Sequence, residues 1–143
     1  QIISKYTDYD GALIQILLDV QQEYNWVPSE AADLISDKMD VPITQIYRVA
    51  SFYKSLSLRP RGKHLIKVCL GTACYVRGGG AIMDRLKRVL EIEDGGTTKD
   101  MMFTLESVNC IGCCALGPMM TIDGEYYGNA SPNKVDEVLK NYD

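Results

Sequence analysis

The segment HLIKVCLGTACYV, His64–Val76, decides the fold predicted for the second half of the chain. Its first seven residues, HLIKVCL, have the composition of a short β-strand. The strand runs directly into a loop that holds two cysteines, Cys69 and Cys74, in the spacing C-x4-C. Loops at strand ends can meet at one edge of a sheet, so we expect these thiols to lie there.

The segments that follow predict a helix and then a second strand. AIMDRLKRVLEI has the periodicity of an amphipathic helix, with an apolar face made of Ile82, Leu86, Val89 and Leu90. MMFTLESVN predicts a strand that ends in a second cysteine loop, VNCIGCCALGP, which holds Cys110, Cys113 and Cys114. A helix and a return strand separate the two loops, so both can lie at the same edge of one sheet.

Two more elements complete this half of the chain. MMTIDGEYYG predicts a hairpin around Asp123-Gly124, a dipeptide favoured in tight hairpin turns. SPNKVDEVLK predicts a final helix, with Ser131 as its cap and Pro132 at its first position. The order strand, helix, strand, strand, helix predicts a small α/β sandwich of the thioredoxin type.

The first half of the chain predicts a small all-α bundle. Residues 11–53 have apolar positions at helical spacing, and in the first helix these are Leu13, Leu17, Val20 and Tyr24. We expect Ser29 to cap a second helix and Pro42 to open a third.

The basic segment KSLSLRPRGK has the composition of a linker. The predicted domains are therefore residues 1–60, a helical domain with its linker, and residues 61–143, the thioredoxin-like domain.

Charge and composition exclude several classes of function. The net charge is −4, and residues 1–53 carry three basic against eight acidic residues, which would repel nucleic-acid phosphates. The longest nearly apolar run, ALIQILLDV, is too short and too polar to cross a bilayer, and the chain does not begin with a signal-peptide pattern. We predict no nucleic-acid partner and no direct insertion into a membrane.

The five cysteines indicate metal chemistry in a reducing compartment, because an odd number with three in five residues is a poor disulfide framework. Four thiolates suit either a tetrahedral zinc ion or an iron–sulfur cluster. The second pair can be Cys110 with Cys113 or Cys110 with Cys114, and the pattern alone does not choose. A Rieske centre is excluded, because it needs two histidines and His64 is the only one.

Five stretches carry a resemblance that extends over nearly the whole chain: YNWVP, VPITQIYRVASFY, LRPRGKHLIKVCLGTACYVRGG, VNCIGCCALGPMM and VDEVL. In this order they resemble the small two-iron subunit of NADH dehydrogenase (complex I) and its relatives in NAD-linked and electron-bifurcating hydrogenases and formate dehydrogenases. That family has a helical N-terminal domain and a thioredoxin-like ferredoxin domain with one [2Fe–2S] cluster, which the resemblance implies here.

The family motif, C-x4-C followed by C-x3-C, implies which residues bind the cluster. The implied ligands are Cys69, Cys74, Cys110 and Cys114, and Cys113 is left without a ligand role. The resemblance also implies that FMN and NAD(H) are bound by a larger iron–sulfur partner subunit, with further redox subunits in the same complex.

These observations predict an electron-transfer subunit of a cytoplasmic NAD(P)(H)-linked oxidoreductase. The chain has no Rossmann fingerprint, and the glycine-rich VRGGGA lacks the Lys-Ser/Thr of a phosphate loop, so we expect it to serve close backbone approach. A hydride carrier and a flavin must therefore sit on a partner, and this chain has no complete active site of its own. The alternative hypothesis is a zinc-binding structural adaptor with no redox role.

Overall fold

The protein divides into two compact units in the computed structural model, which describes residues 1–6 and 11–142. The first unit is Gln1–Arg61 and the second is Gly62–Asp143. Two of the acidic residues counted above, Asp8 and Asp10, and the last residue, Asp143, lie outside the described residues.

Three helices form the first unit, as the sequence predicted. They are α1, Leu13–Tyr24, α2, Ser29–Met39, and α3, Ile43–Phe52. Their shared core consists of Leu13, Ile16, Leu17, Val20, Val27, Ala32, Ile35, Ile46, Ala50 and Leu56. The prediction that Tyr24 belongs to the apolar face is wrong, since this side chain in the last turn of α1 is 56% exposed.

The start of α2 differs from the prediction. Pro28, in an extended conformation, is the N-cap, and Ser29 is the first helical residue. The Ser29 hydroxyl donates to the Glu30 carboxylate at 3.1 Å and caps no backbone amide. Pro42 likewise is the N-cap of α3, which begins one residue later than predicted.

Part of the segment predicted as a linker is folded into the first unit. Leu56 is buried in the helical core. The Val27 amide donates to the Ser57 carbonyl at 2.8 Å, and the Ser57 amide donates to the Gln21 side chain at 2.6 Å. The charged residues give this segment the composition of a linker. Leu56 nevertheless packs into the helical core, and this contact cannot be inferred from composition.

The second unit has the predicted strand, helix, strand, hairpin and final helix, and the hairpin supplies two strands, so the sheet has four. Its elements are β1, His64–Cys69; α4, the single turn Thr72–Cys74; α5, Gly80–Leu90; β2, Phe103–Val108; β3, Met120–Ile122; β4, Glu125–Tyr127; and α6, Pro132–Leu139. A π-helical segment, Tyr75–Gly79, joins α4 to α5. None of the helices in the described part of the chain is long and apolar enough to span a bilayer.

The four strands form one mixed sheet in the order β2-β1-β3-β4. β1 and β2 are parallel, with His64 opposite Phe103 and Cys69 opposite Val108. β3 is antiparallel to both β1 and β4. The tight turn between β3 and β4 is at Asp123-Gly124, where both residues have positive φ, so the predicted hairpin is confirmed.

Helices α5 and α6 contribute to the core of the second unit with one face of the sheet. The buried core residues are Ile66, Val68, Ile82, Met83, Leu86, Leu105, Met120, Ile122, Ala130, Val135 and Val138. The predicted apolar face of α5 is wrong at Val89, which is 42% exposed, because Met83 takes the buried position next to Ile82. The prediction for α6 is confirmed, since the Ser131 side chain accepts from the Lys134 amide and Pro132 is the first helical residue.

A bidentate ion pair links α5 to α6. Arg85 donates from Nε and Nη2 to the two carboxylate oxygens of Asp136, at 3.1 and 2.6 Å. The hydrogen bonds with Arg85 lower the pKa of Asp136 below its ordinary value. Both side chains are partly exposed, so solvent and salt weaken the pair.

We expect Asp136→Asn to destabilise the protein at neutral pH and to have no effect in acid. A carboxyl whose pKa is lowered by folding stabilises the fold above its unfolded pKa of about 3.9, and that contribution is lost as pH falls through the folded value. The measurement is the urea midpoint of the metal-free chain at pH 7 and near pH 2.

Glu137→Gln is the matched control, because it removes the same charge from an exposed neighbouring position of α6. Equal midpoints for the two variants at pH 7 would contradict a stabilising role for the Arg85–Asp136 pair.

Candidate metal centre at the cysteine loops

Both cysteine loops leave the sheet at the same edge. Cys69 is the last residue of β1 and lies opposite Val108, the last residue of β2. The Leu70 amide donates to the Val108 carbonyl at 2.9 Å, and the Cys69 amide donates to the Met119 carbonyl at 3.0 Å. The two loops and the chain entering β3 are therefore tied together at this edge.

The first loop places its two thiols inside the protein. Cys69 and Cys74 are both 2% exposed and form a small apolar cluster with Met119. Between them the chain makes the single turn α4, in which the Tyr75 amide donates to the Gly71 carbonyl at 2.8 Å. This turn places Cys74, which is five residues after Cys69, beside the end of β1.

The second loop exposes two of its three cysteines. Cys110 is exposed, and its sulfur accepts a hydrogen bond from the Gly112 amide at 3.3 Å. Cys114 is also exposed and begins a short 3-10 turn, Cys114–Leu116. Cys113 is half-buried and packs against the cluster of Cys69, Cys74 and Met119.

The entry to the second loop is held by a carboxylate. The Asp94 side chain accepts from the Ser107 amide at 2.8 Å and from the Ser107 hydroxyl at 2.6 Å. Ser107 is the penultimate residue of β2, so this pair fixes the end of the strand three residues before Cys110.

The predicted site residues are brought together to different degrees. Burial and a hydrogen bond with the Cys69 thiol raise the pKa of Cys74, and Cys114 lies close enough to add to this effect. Cys69, Cys74 and Cys114 therefore share one electrostatic neighbourhood. Within residues 1–6 and 11–142, no three His, Cys, Asp or Glu side chains surround a single point closely enough to hold one metal ion.

Glycines allow the backbone to approach these thiols closely. A Cβ at Gly71 would lie 2.4 Å from the Asn109 carbonyl oxygen and 3.5 Å from the Cys69 sulfur. A Cβ at Gly117 would lie 3.0 Å from the Cys74 sulfur. A larger residue at Gly71 would press the second loop outward, and a larger residue at Gly117 would press on the Cys74 thiol.

The thiol donor set fits a [2Fe–2S] cluster. Such a cluster distributes four thiolates over two irons, whereas structural zinc needs four donors around one ion. The thiols form a buried pair in one loop and exposed thiols in the other. Backbone N–H groups reach the sulfurs, as at Gly112 and Cys110, which is how proteins adjust the potential of a cluster.

Two observations concern residues outside the predicted ligand set. Arg77 donates from Nη1 to the Cys114 carbonyl at 2.8 Å and to the Ala115 carbonyl at 3.4 Å. The available sequence signal was a single cation directly after the first cysteine loop, followed by three glycines. His64 lies at the other end of β1, where its Nδ1 is 2.6 Å from the Asp123 carboxylate.

A groove of about 360 Å³ lies beside the second loop. Cys110 and Ile111 form part of its lining, together with Lys67 of β1 and Tyr126 of β4. One exposed thiol of the predicted set is thus accessible from this side, next to a lysine.

The comparison with family models is unambiguous. The model of the thioredoxin-like [2Fe–2S] ferredoxins matches residues 1–143. The chain is 35% identical over 142 residues to the HndA subunit of the NADP-reducing hydrogenase of Solidesulfovibrio fructosivorans, covering 99% of this chain and 83% of that protein. It is 36% identical over 141 residues to a subunit of the NADH-quinone oxidoreductase of Rickettsia bellii, covering 96% of this chain and 84% of that protein.

A solved structure shares the fold. It is a chain of an NAD⁺-reducing [NiFe]-hydrogenase in the air-oxidised state, with a TM-score of 0.76 and 20% identity, covering 90% of this chain. The chain spans only 22% of that hydrogenase chain. The fold, the thiol donor set and the match over its full length lead to one conclusion: this chain belongs to the thioredoxin-like [2Fe–2S] ferredoxin family.

Proposed function

We infer that this chain is the [2Fe–2S] electron-transfer subunit of an NAD(P)(H)-linked oxidoreductase complex. The observation that carries this function is the meeting of two cysteine loops at one edge of the sheet, in a member of a [2Fe–2S] family. When bound, the cluster accepts and releases one electron at a time. The zinc-binding adaptor is set aside, because a family defined by [2Fe–2S] matches the whole chain.

We propose Cys69, Cys74, Cys110 and Cys114 as the cluster ligands. The first two supply a buried, closed pair, and the last two supply thiols that face outward from the second loop. Cys113 faces the apolar side of the loop, where Met119 packs, which suits a small hydrophobic residue. Cys113 is half-buried and Cys114 is exposed at the start of the 3-10 turn, so we assign only Cys114 as a ligand.

The chain does not contain what is needed to react with NAD(P)H. A nicotinamide delivers two electrons together as hydride, and a [2Fe–2S] cluster takes one. A flavin on a partner subunit would accept the two electrons together and pass them on one at a time. Such an assembly agrees with the names of the relatives, which are subunits of a hydrogenase and of a quinone oxidoreductase. The role of this chain is to hold the cluster rigidly within reach of that flavin.

The surface around the cysteine loops is the proposed contact with the partner. Three large apolar side chains are exposed there: Tyr75, 62%; Val76, 79%; and Leu116, 54%. Exposed apolar side chains next to a redox centre are typical of a surface that a partner covers. We propose that residues 61–143 carry the cluster, that residues 1–60 provide a second surface for holding the partner, and that the assembly works in the cytoplasm.

Replacement of single cysteines tests the ligand assignment. We expect Cys69→Ser, Cys74→Ser, Cys110→Ser and Cys114→Ser each to lose most of the iron and visible absorption, because a serine oxygen is a harder ligand than iron–sulfur cores prefer. Cys113→Ser is the matched control and should retain both. The measurement is iron and acid-labile sulfide per chain after anaerobic purification, and loss of the cluster in Cys113→Ser with retention in Cys114→Ser would reverse the assignment.

Close approach of the two loops is tested by Gly71→Ala. The added Cβ would meet the Asn109 carbonyl at 2.4 Å and force the second loop outward. We expect lower cluster occupancy and faster bleaching in air. Gly80→Ala is the control, since its Cβ would meet only the movable ring of Tyr75, at 3.3 Å, and alanine favours a helix. Equal occupancy in both variants would show that this approach is not needed.

Reconstitution tests the place of the chain in electron flow. The isolated, flavin-free chain should not oxidise NADH or NADPH with any dye. With a flavin-bearing partner subunit and reduced nicotinamide, electron paramagnetic resonance should show the reduced [2Fe–2S] signal. Nicotinamide oxidation by the isolated chain would refute the proposal, as would a cluster that stays oxidised in the assembly at every applied potential.

A further inference from the structure

Arg77 connects the two cysteine loops. It follows the first loop directly, and its guanidinium donates to the backbone carbonyls of Cys114 and Ala115 in the second loop, at 2.8 and 3.4 Å. Cys114 is one of the proposed ligands. A residue just after the buried pair of thiols thus holds the backbone of an exposed thiol in the other loop.

The glycines after Arg77 explain how it reaches this position. The π-helical segment Tyr75–Gly79 contains Gly78 at φ 110, a conformation that disfavours any residue with a Cβ. A Cβ at Gly79 would lie 2.8 Å from the Cys69 carbonyl and 3.0 Å from the Cys74 carbonyl. The glycine-rich segment therefore packs closely against the backbone of the first loop. This contact fixes the position of the Arg77 backbone, from which the side chain extends.

We propose that Arg77 is a positioning residue that holds Cys114 in place and raises the reduction potential of the cluster. The proposal rests on the ligand assignment made above. A guanidinium keeps its charge at all working pH values, and its rigid plane places one nitrogen, Nη1, where it donates to two successive carbonyls. Charged donors also make stronger hydrogen bonds to backbone oxygens than neutral ones.

The effect on potential follows from charge. Reduction adds one negative charge to a centre already surrounded by four thiolates, and a fixed positive charge beside one ligand favours the reduced form. Arg77 is exposed, so salt should weaken this contribution. Positioning and charge are therefore separable effects, one steric and insensitive to salt, the other electrostatic and sensitive to it.

Three variants of the full chain with its cluster separate the two effects. Arg77→Lys keeps the charge and loses the planar donor set, whereas Arg77→Gln loses the charge and keeps a short amide donor. Arg88→Gln is the matched control, because it removes the same charge from the exposed last turn of α5. The measurements are redox titration followed by electron paramagnetic resonance, and the rate at which a chelator bleaches the visible absorption.

For Arg77→Gln we expect the reduced-to-oxidised ratio at a fixed potential to fall about two- to fivefold. This corresponds to a midpoint about 20–40 mV more negative for a one-electron couple. The shift should shrink as salt is added. For Arg77→Lys we expect a midpoint close to that of the unmodified chain but cluster loss about tenfold faster, the lower end of the range for residues that orient metal ligands.

The outcomes distinguish this inference from the proposed function. If the unmodified chain binds a [2Fe–2S] cluster and both Arg77 variants match Arg88→Gln in midpoint and bleaching rate, the inference is wrong and the proposed function stands. If the unmodified chain purifies without iron and sulfide and cannot be reconstituted, the proposed function itself fails. If Arg77→Gln does not fold, the bleaching rate of Arg77→Lys alone still decides whether Arg77 holds the loop.

Discussion

The parallel pairing of β1 with β2 is the constraint on which the cysteine site depends. Because the last residues of the two strands, Cys69 and Val108, are aligned, two loops far apart in sequence leave the sheet side by side. The buried side chains of Ile66, Val68 and Leu105 hold this register, since a slip of one residue would turn them away from the core. The packing of the hydrophobic core therefore also determines where the thiols lie.

Given this strand pairing, small residues determine how closely the two cysteine loops approach each other. A Cβ at Gly71 would clash with the Asn109 carbonyl, and a Cβ at Gly117 would lie in tight contact with the Cys74 thiol and the Cys114 carbonyl. A Cβ at Gly79 would likewise meet two carbonyls of the first loop. A cluster held by four thiolates needs its loops at fixed separation, so these glycines are part of the site although they supply no ligand.

Much of this architecture was predictable because its signals are local. The hairpin at Asp123-Gly124 and the cap at Ser131 depend on a few adjacent residues, and both are confirmed. Errors arose where tertiary packing decides which side of a helix is buried, as in α5, where Val89 is exposed and Met83 is buried. The hydrogen bonds from Arg77 to the second loop also depend on tertiary packing. The local sequence does not reveal what the end of a long side chain contacts.

The uneven exposure of the cysteines follows from two opposing requirements. In the proposed ligand set, Cys69 and Cys74 are the buried pair, packed beside Met119. Passing electrons calls for a short path to another protein, and as proposed ligands the exposed residues Cys110 and Cys114 would provide that path. A centre built in this way is accessible to water and oxidants as well as to its redox partner. The exposed apolar side chains of the two loops would serve both requirements in the proposed assembly, because a partner that covered them would shorten the path and shield the centre.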